Sequence, residues 1–255
     1  MSSSTKQDIN LPPSYGSLTP VQTNAIRICS ISLTGRDKIR LIGTASALPP
    51  LVRSSILSSW GTIRKESNYA GSHEFKLSGS PWRSKGPDAV RSRRLLNGIL
   101  YTMAKAGWDL VQATDVSQRE RDKDTLFFEY TESMTEHELF AVSFNRSDRI
   151  RVISQQPPQV ALRMMELIKQ AVASQWKYGI QAEQDYCGAV EIKLQGNPFN
   201  AKRSEAIYAR MLLAQMIANF KVEGYKLYAS LSLGEGKDGR DVESWVLRRM
   251  NASWQ

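Results

Sequence analysis

Two cysteines, two histidines and no long apolar run are what this 255-residue chain has to offer in those categories. Cys29 and Cys187 cannot form a disulfide framework or a four-cysteine zinc site. His73 and His137 are too few for a His-rich metal centre. No stretch approaches the roughly 20 apolar residues that a membrane helix needs. Residues 1–10 lack the apolar segment of a signal peptide. These absences predict a soluble, cytoplasmic protein, with a nuclear location left open, and no cofactor or metal. There is also no Gly-x-Ser-x-Gly elbow, no P-loop, no dinucleotide-binding glycine frame and no His-Glu-x-x-His. A non-enzyme is therefore expected.

What is present suffices for a core. Hydrophobic residues make up 41% of the chain. The 34 Lys and Arg outnumber the 25 Asp and Glu, for a net charge of +9. Such a balance permits nucleic-acid or anionic-lipid binding without requiring it.

The strongest signal is an internal repeat. HEFKLSGSPW at 73–82 matches VEIKLQGNPF at 190–199. Downstream, Asp88-Ala89-Val90 corresponds to Glu205-Ala206-Ile207, Arg93 to Arg210, and Gly107-Trp108 to Gly224-Tyr225. Upstream, RICSISLTGRDKIRLI at 27–42 corresponds to LFAVSFNRSDRIRVI at 139–153. Each then runs to a Pro-Pro pair, a Trp (Trp60, Trp176) and a Tyr-x-Gly (Tyr69, Tyr186). Cys187 aligns with Ala70, which predicts a small buried residue.

Periodicity gives the elements. ICSISL alternates as a half-buried strand does, and Thr34 to Asp37 is a turn composition. Pro-Pro opens a helix, where a missing N–H costs little. Val160, Met164, Leu167, Ile168, Ala171 and Val172 form an apolar stripe. A strand stopped by Gly-x-Pro follows, then a second helix with Leu96, Ile99, Leu100 and Met103 inward, or Leu212, Leu213, Met216, Ile217 and Phe220. Two strands close the unit. The expected fold is α+β: two tandem ββαβαββ repeats, helices packed on mainly antiparallel sheets, related by a pseudo-two-fold. The expected boundaries are a Ser/Thr/Pro-rich disordered tail at 1–20, a first repeat at 21–135 and a second at 136–255. The repeat is compatible with merged or with separate sheets.

The frame EFKLxGxPW, the Ala-Val-x-Ser-Arg-x-Leu-Leu helix (Ala89 to Leu96), Gly-Trp-x-Leu (Gly107 to Leu110) and Asp-Lys-Asp-Thr-Leu (Asp122 to Leu126) together resemble an uncharacterised domain of fungal hypothetical proteins. The resemblance implies the same fold in two copies and a fungal-type origin. No activity comes with it. The second copy is degenerate, with Phe199 and Tyr225 in place of Trp82 and Trp108.

Candidate binding residues follow from charge and spacing. Arg83, Lys85, Arg91, Arg93 and Arg94 surround a turn and a helix N-terminus, a setting that favours anions. Arg210 is the second-repeat counterpart of Arg93. The repeated Glu74/Lys76 and Glu191/Lys193 fit a surface ion-pair ladder on a strand. Asp122 and Asp124 are a candidate cation seat. Trp176, Phe220 and Tyr225 sit among lysines, as in single-strand nucleic-acid binders, but lie at core positions of the repeat. In the tail, Pro12, Pro13 and Tyr15 form a Pro-Pro-x-Tyr peptide similar to WW-domain ligands. The expected function is a non-catalytic binding or adaptor protein with a basic surface formed by the two repeats. The alternatives are a nucleic-acid or anionic-lipid binder acting through the Arg cluster, and an enzyme of unrecognised type with a site between the repeats. The expected partners are another protein, a WW-domain protein through the tail, nucleic acid or anionic lipid, or a second copy in a homodimer.

Overall fold

A computed structural model describes residues 21–23, 26–115, 123–132, 138–155, 158–235 and 241–250. The first repeat contains β1 (Val21–Thr23), β2 (Ile26–Thr34), β3 (Lys38–Ile42), α1 (Leu48–Ser59), β4 (Ile63–Tyr69), β5 (Ser72–Leu77), α2 (Pro87–Lys105), β6 (Trp108–Thr114) and β7 (Thr125–Tyr130). The second contains β8 (Leu139–Asn145), β9 (Arg149–Ser154), α3 (Pro158–Gln175), β10 (Ile180–Tyr186), β11 (Ala189–Leu194), α4 (Ser204–Val222), β12 (Tyr225–Glu235) and β13 (Asp241–Arg249). The sheets stay separate. Their strand orders match: β4-β5-β3-β2-β7-β6, with β1 added to β2, and β10-β11-β9-β8-β13-β12. All pairings are antiparallel.

Each repeat is thus ββαββαββ, one strand richer than the expected ββαβαββ. The added strands are β4 and β10. IRKESNY and IQAEQDY are nearly all polar and largely exposed, because these are edge strands. Without an apolar face they carry no period-2 signal.

Local sequence explains the joints. Pro49-Pro50 and Pro87 occupy first helical turns. Gly79 and Gly196 end the EFKL and EIKL strands at φ +76° and +81°. A tryptophan closes each joint: Trp60 Nε1 donates to Ser78 O at 2.7 Å, and Trp176 Nε1 to Gln195 O at 2.8 Å. The two strand-to-strand corners match as well, Trp82 N donating to Arg36 O and Phe199 N to Ser147 O.

The repeats are not related by the expected pseudo-two-fold. A two-fold would bring like faces together. Instead unlike faces meet. The inner side of α2, with Leu96, Ile99 and Met103, packs on the first sheet, against Ile31, Leu33 and Phe75. Its other side carries the second sheet, where Val90 meets Ala141, Ile153 and Ala189. Leu139, Ala229, Leu231, Leu233 and Val246 of that sheet join the first repeat's core. The helices α3 and α4 cover the opposite face of the second sheet, over Phe140, Val142 and Ile150. The layers therefore run sheet, helices, sheet, helices. The cause lies in α2, which is buried on both sides: Val90, Arg93 and Asn97 are as hidden as its leucines.

Candidate functional site

The predicted anion cluster divides. Arg93 is only 2% exposed. Its Nη1 donates to Ala89 O at 3.1 Å, its Nε to Ser244 Oγ at 3.1 Å, and its Nη2 to Leu233 O. Burial, with the Arg151 charge nearby, lowers its guanidinium to about 10, so it remains charged at neutral pH. Arg93 is therefore a clamp between repeats rather than a solvent-facing anion ligand. Its charge is spent on buried oxygens that would otherwise be unsatisfied.

The rest of the cluster stays near the surface. Arg91 lies over the Trp60 ring and donates to Trp60 O at 2.7 Å and Asp88 Oδ1 at 3.0 Å. Arg94 Nη2 donates to Gly188 O at 2.7 Å, tying α2 to the β10–β11 hairpin. Lys85 is exposed and Arg83 half-buried. Arg210 is exposed and donates to Ala206 O, its i−4 carbonyl, as Arg93 does to Ala89. Pro12, Pro13 and Tyr15 lie outside the described residues, as do Asp122 and His137.

Arg91 and Arg94 form one wall of a cleft of about 1050 Å³ between the repeats. Gln155, Glu183 and Asp185 lie on the other wall. Each polar group here has a structural partner. Glu183 pairs with Lys169 at 2.6 Å. Asp185 Oδ1 accepts from Gly188 N at 3.1 Å. Gln155 Nε2 donates to Ser59 Oγ at 2.9 Å and to Arg94 O. No histidine among the described residues lines the cleft. Among the described residues, no group of three His, Cys, Asp or Glu side chains is placed to hold a metal.

The repeated polar residues have a shared use. Glu74 pairs with Arg40 at 2.7 Å and Lys38 at 3.3 Å across strands, instead of forming a ladder with Lys76. Arg40 in turn lies over the Tyr69 ring. The second repeat repeats the set: Glu191 with Arg151 and Arg149, both at 2.5 Å, and Arg151 over Tyr186. Burial opposes ionisation of Glu191, but the hydrogen bonds and charge of Arg151, with help from Arg149 and Gln184, outweigh it and hold its carboxyl below the usual range. In the second sheet this cluster is covered by the first repeat. In the first sheet it sits on the outer face, which no other layer covers among the described residues.

Other expectations need correction or find a place. Cys187 is exposed, not buried: it holds φ +57° at the tip of the β10–β11 hairpin, as Ala70 holds φ +50° at the β4–β5 tip. Asp124 Oδ2 accepts from Ser232 N across the repeats at 3.0 Å, which gives it a structural role. Trp176, Phe220 and Tyr225 are buried.

The feature that sequence reasoning passed over is the outer side of α4. Ile207 is 63% exposed, Met211 47% and Val222 87%. Ala214 and Ala218 are exposed between them. These five residues form a second apolar stripe at helical spacing, opposite the one formed by Leu212, Met216 and Phe220. Ile217, expected to face inward, is 37% exposed. The signal was present in the sequence: α4 is apolar around most of its circumference, which marks a helix with contacts on two sides.

One family model, that of an uncharacterised domain, matches residues 27–129 and again 138–248. The chain belongs to this family and carries two copies of its domain. Part of the chain is also similar to a crystal structure of a conserved kinetoplastid-specific protein from Trypanosoma cruzi. The identity is 14%, over 45% of this chain and 97% of that one, with a TM-score of 0.31. No curated protein matches. Among the described residues, no helix is long and apolar enough to cross a membrane.

Proposed function

We propose that this is a non-catalytic binding protein, an adaptor or scaffold, whose partner seats on the outer side of α4. One observation carries this reading: an exposed, continuous apolar stripe on a helix that is fully folded against its own sheet. Exposed apolar surface of this kind marks an interaction site. The polar groups of the inter-repeat cleft support the same conclusion, because their hydrogen bonds hold the fold together. The Pro12-Pro13-x-Tyr15 segment adds a second point of attachment, for a WW-domain protein.

A second reading, binding of an anionic ligand or nucleic acid, draws on Arg91 and Arg94 on the cleft wall together with exposed Lys85. Salt separates the two, since phosphate contacts weaken steeply as salt rises and apolar contacts do not. The test is capture from native extract by wild type and by Met211→Asp, with and without nuclease, at low and high salt. A protein partner that resists nuclease and salt and is lost with Met211→Asp supports the adaptor reading. Equal capture by both proteins overturns it. Loss of all partners on nuclease treatment favours the anionic ligand.

A further inference from the structure

Within the chain, the repeats already display a complete version of the contact that α4 lacks. The helix α2 packs inward on its own sheet and outward on the bare face of the next one. Ile207, Arg210, Met211 and Ala214 hold in α4 the places of Val90, Arg93, Arg94 and Asn97 in α2. Those four residues of α2 make the contact: Val90 packs on Ala141, Ile153 and Ala189, while Arg93, Arg94 and Asn97 donate to Leu233, Gly188 and Ile153 carbonyls. Their counterparts on α4 face solvent.

The complementary half, among the described residues, is open at the other end of the molecule. On the first sheet, Cys29, Ile31, Leu33, Leu126 and Phe128 face α1 and α2. Strand alternation therefore turns Ile28, Ile42 and Phe127 to the bare face, where each is half-exposed. Their counterparts in the second sheet are Leu139, Ile153 and Val246, all buried by the first repeat. Tyr69, 54% exposed over Arg40, likewise matches Tyr186, which packs against the cluster around Val90.

We propose that a second copy of this chain seats the bare face of its first sheet on α4, repeating between molecules the contact made between the repeats within one. This names the occupant of the α4 face and so rests on the preceding reading. In the assembly Ile207 meets Ser30 and Ile42 of the next copy, the counterparts of Ala141 and Ile153. Beside them is Ser72, the counterpart of Ala189; neighbours in its own chain leave Ser72 only 5% exposed. Arg210 reaches toward Thr125, the counterpart of Ser244. Serines in place of two alanines make this contact more polar than the internal one, and it lacks the tether that gives the internal contact its high effective concentration. The association is accordingly reversible. It joins unlike faces, so it adds molecules in a line rather than stopping at two.

The test is sedimentation velocity of the full chain from micromolar to submillimolar concentration. Wild type should show a weight-average coefficient that rises past the dimer value. Ile207→Asp removes the α4 face and Ile42→Asp the sheet face; each should weaken association at least about tenfold. Met211→Asp and Phe127→Asp serve as second variants, with circular dichroism confirming the fold. Mixing Ile207→Asp with Ile42→Asp leaves one intact face on each partner and should give a dimer that grows no further. A wild type that stays monomeric overturns the proposal, as does association that survives Ile207→Asp, or a mixture that forms no dimer. A monomeric wild type whose captured protein partner is still lost with Met211→Asp would leave the adaptor reading standing without self-association. Failure of both experiments would remove both.

Discussion

Arg93 Nε and Ser244 Oγ meet at 3.1 Å across the repeat boundary, although 151 residues separate them in the chain. The same guanidinium also serves Leu233 O and Ala89 O. Arg93→Ala removes the donor and leaves the Leu233 carbonyl and the Ser244 hydroxyl buried without it. The expected loss is about 3 kcal/mol, since hydrogen bonds from charged groups are each worth about 1.5–3 kcal/mol and an orphaned partner is costly. Arg210→Ala, at the equivalent exposed position, should change stability by less than about 0.5 kcal/mol when measured on dilute protein. Urea midpoints decide it. Equal effects would mean that Arg93 does not clamp the repeats.

Gly79 and Gly196 hold equivalent turns in the left-handed region, at φ +76° and +81°. A β-branched residue there is strained whatever the space. A Cβ at Gly196 would also stand 3.4 Å from Trp176 Cζ2, and one at Gly79 3.5 Å from Trp60 Cζ2. Gly79→Val and Gly196→Val should each cost about 2–3 kcal/mol. Thermal melting of both variants provides the check, and an unchanged melting temperature in either would contradict the turn geometry.

Gly98 lies inside α2, where alanine would ordinarily favour the helix by about 1 kcal/mol. Its environment reverses the sign. An added Cβ would fall 2.7 Å from Ser55 Oγ, 2.8 Å from Ser59 Oγ and 2.6 Å from Gln155 Nε2. The two serines are short and fixed to α1, so the helices must separate or the serine rotamers must change. Gly98→Ala should therefore lower stability by about 1–2 kcal/mol. A stabilised variant would show that α1 and α2 are less closely packed than this.

The duplication was legible because glycines, prolines and tryptophans occupy turns whose geometry few other residues satisfy. The core strands and helices followed from their apolar period. The edge strands β4 and β10 did not, since their residues face solvent on both sides. The role of Arg93 was hidden for a related reason. Charge and spacing describe a side chain's own helix, whereas its partners, Leu233 and Ser244, come from strands of the other repeat. The head-to-tail stacking is visible in retrospect as apolar residues on two sides of α2 and α4. Only the structure shows that the outer side is covered in α2 and, among the described residues, exposed in α4.

The two thiols should differ sharply. Cys29 is 3% exposed, and burial pushes its thiol up to about 12. Cys187 is exposed at a hairpin tip. Only the thiolate reacts with disulfide reagents. Native protein should therefore titrate one thiol and denatured protein two. Cys187→Ser should leave native protein unreactive; persistent labelling would mean that Cys29 is reached through local opening.

Glu191 ties the pH dependence of stability to the repeat boundary. Its side chain is 1% exposed, between Arg149 and Arg151. Burial acts against its ionised form, and the arginine hydrogen bonds and charge prevail, so its folded-state pKa lies below the ordinary glutamate value. A carboxylate lowered in this way adds stability that is complete above the ordinary pKa and disappears as the pH falls through the depressed one. Glu191→Gln leaves Arg151 buried without its counter-charge, at an expected cost near neutral pH of about 3 kcal/mol. Protonating the wild-type carboxyl removes the same counter-charge, so the gap between the two proteins should narrow as the pH falls. Urea midpoints of both, followed from neutral pH to about pH 3, give the comparison. A gap that closes on the acid side identifies Glu191 as a group whose protonation loosens the boundary; a gap that stays constant with pH would show that its charge contributes nothing there.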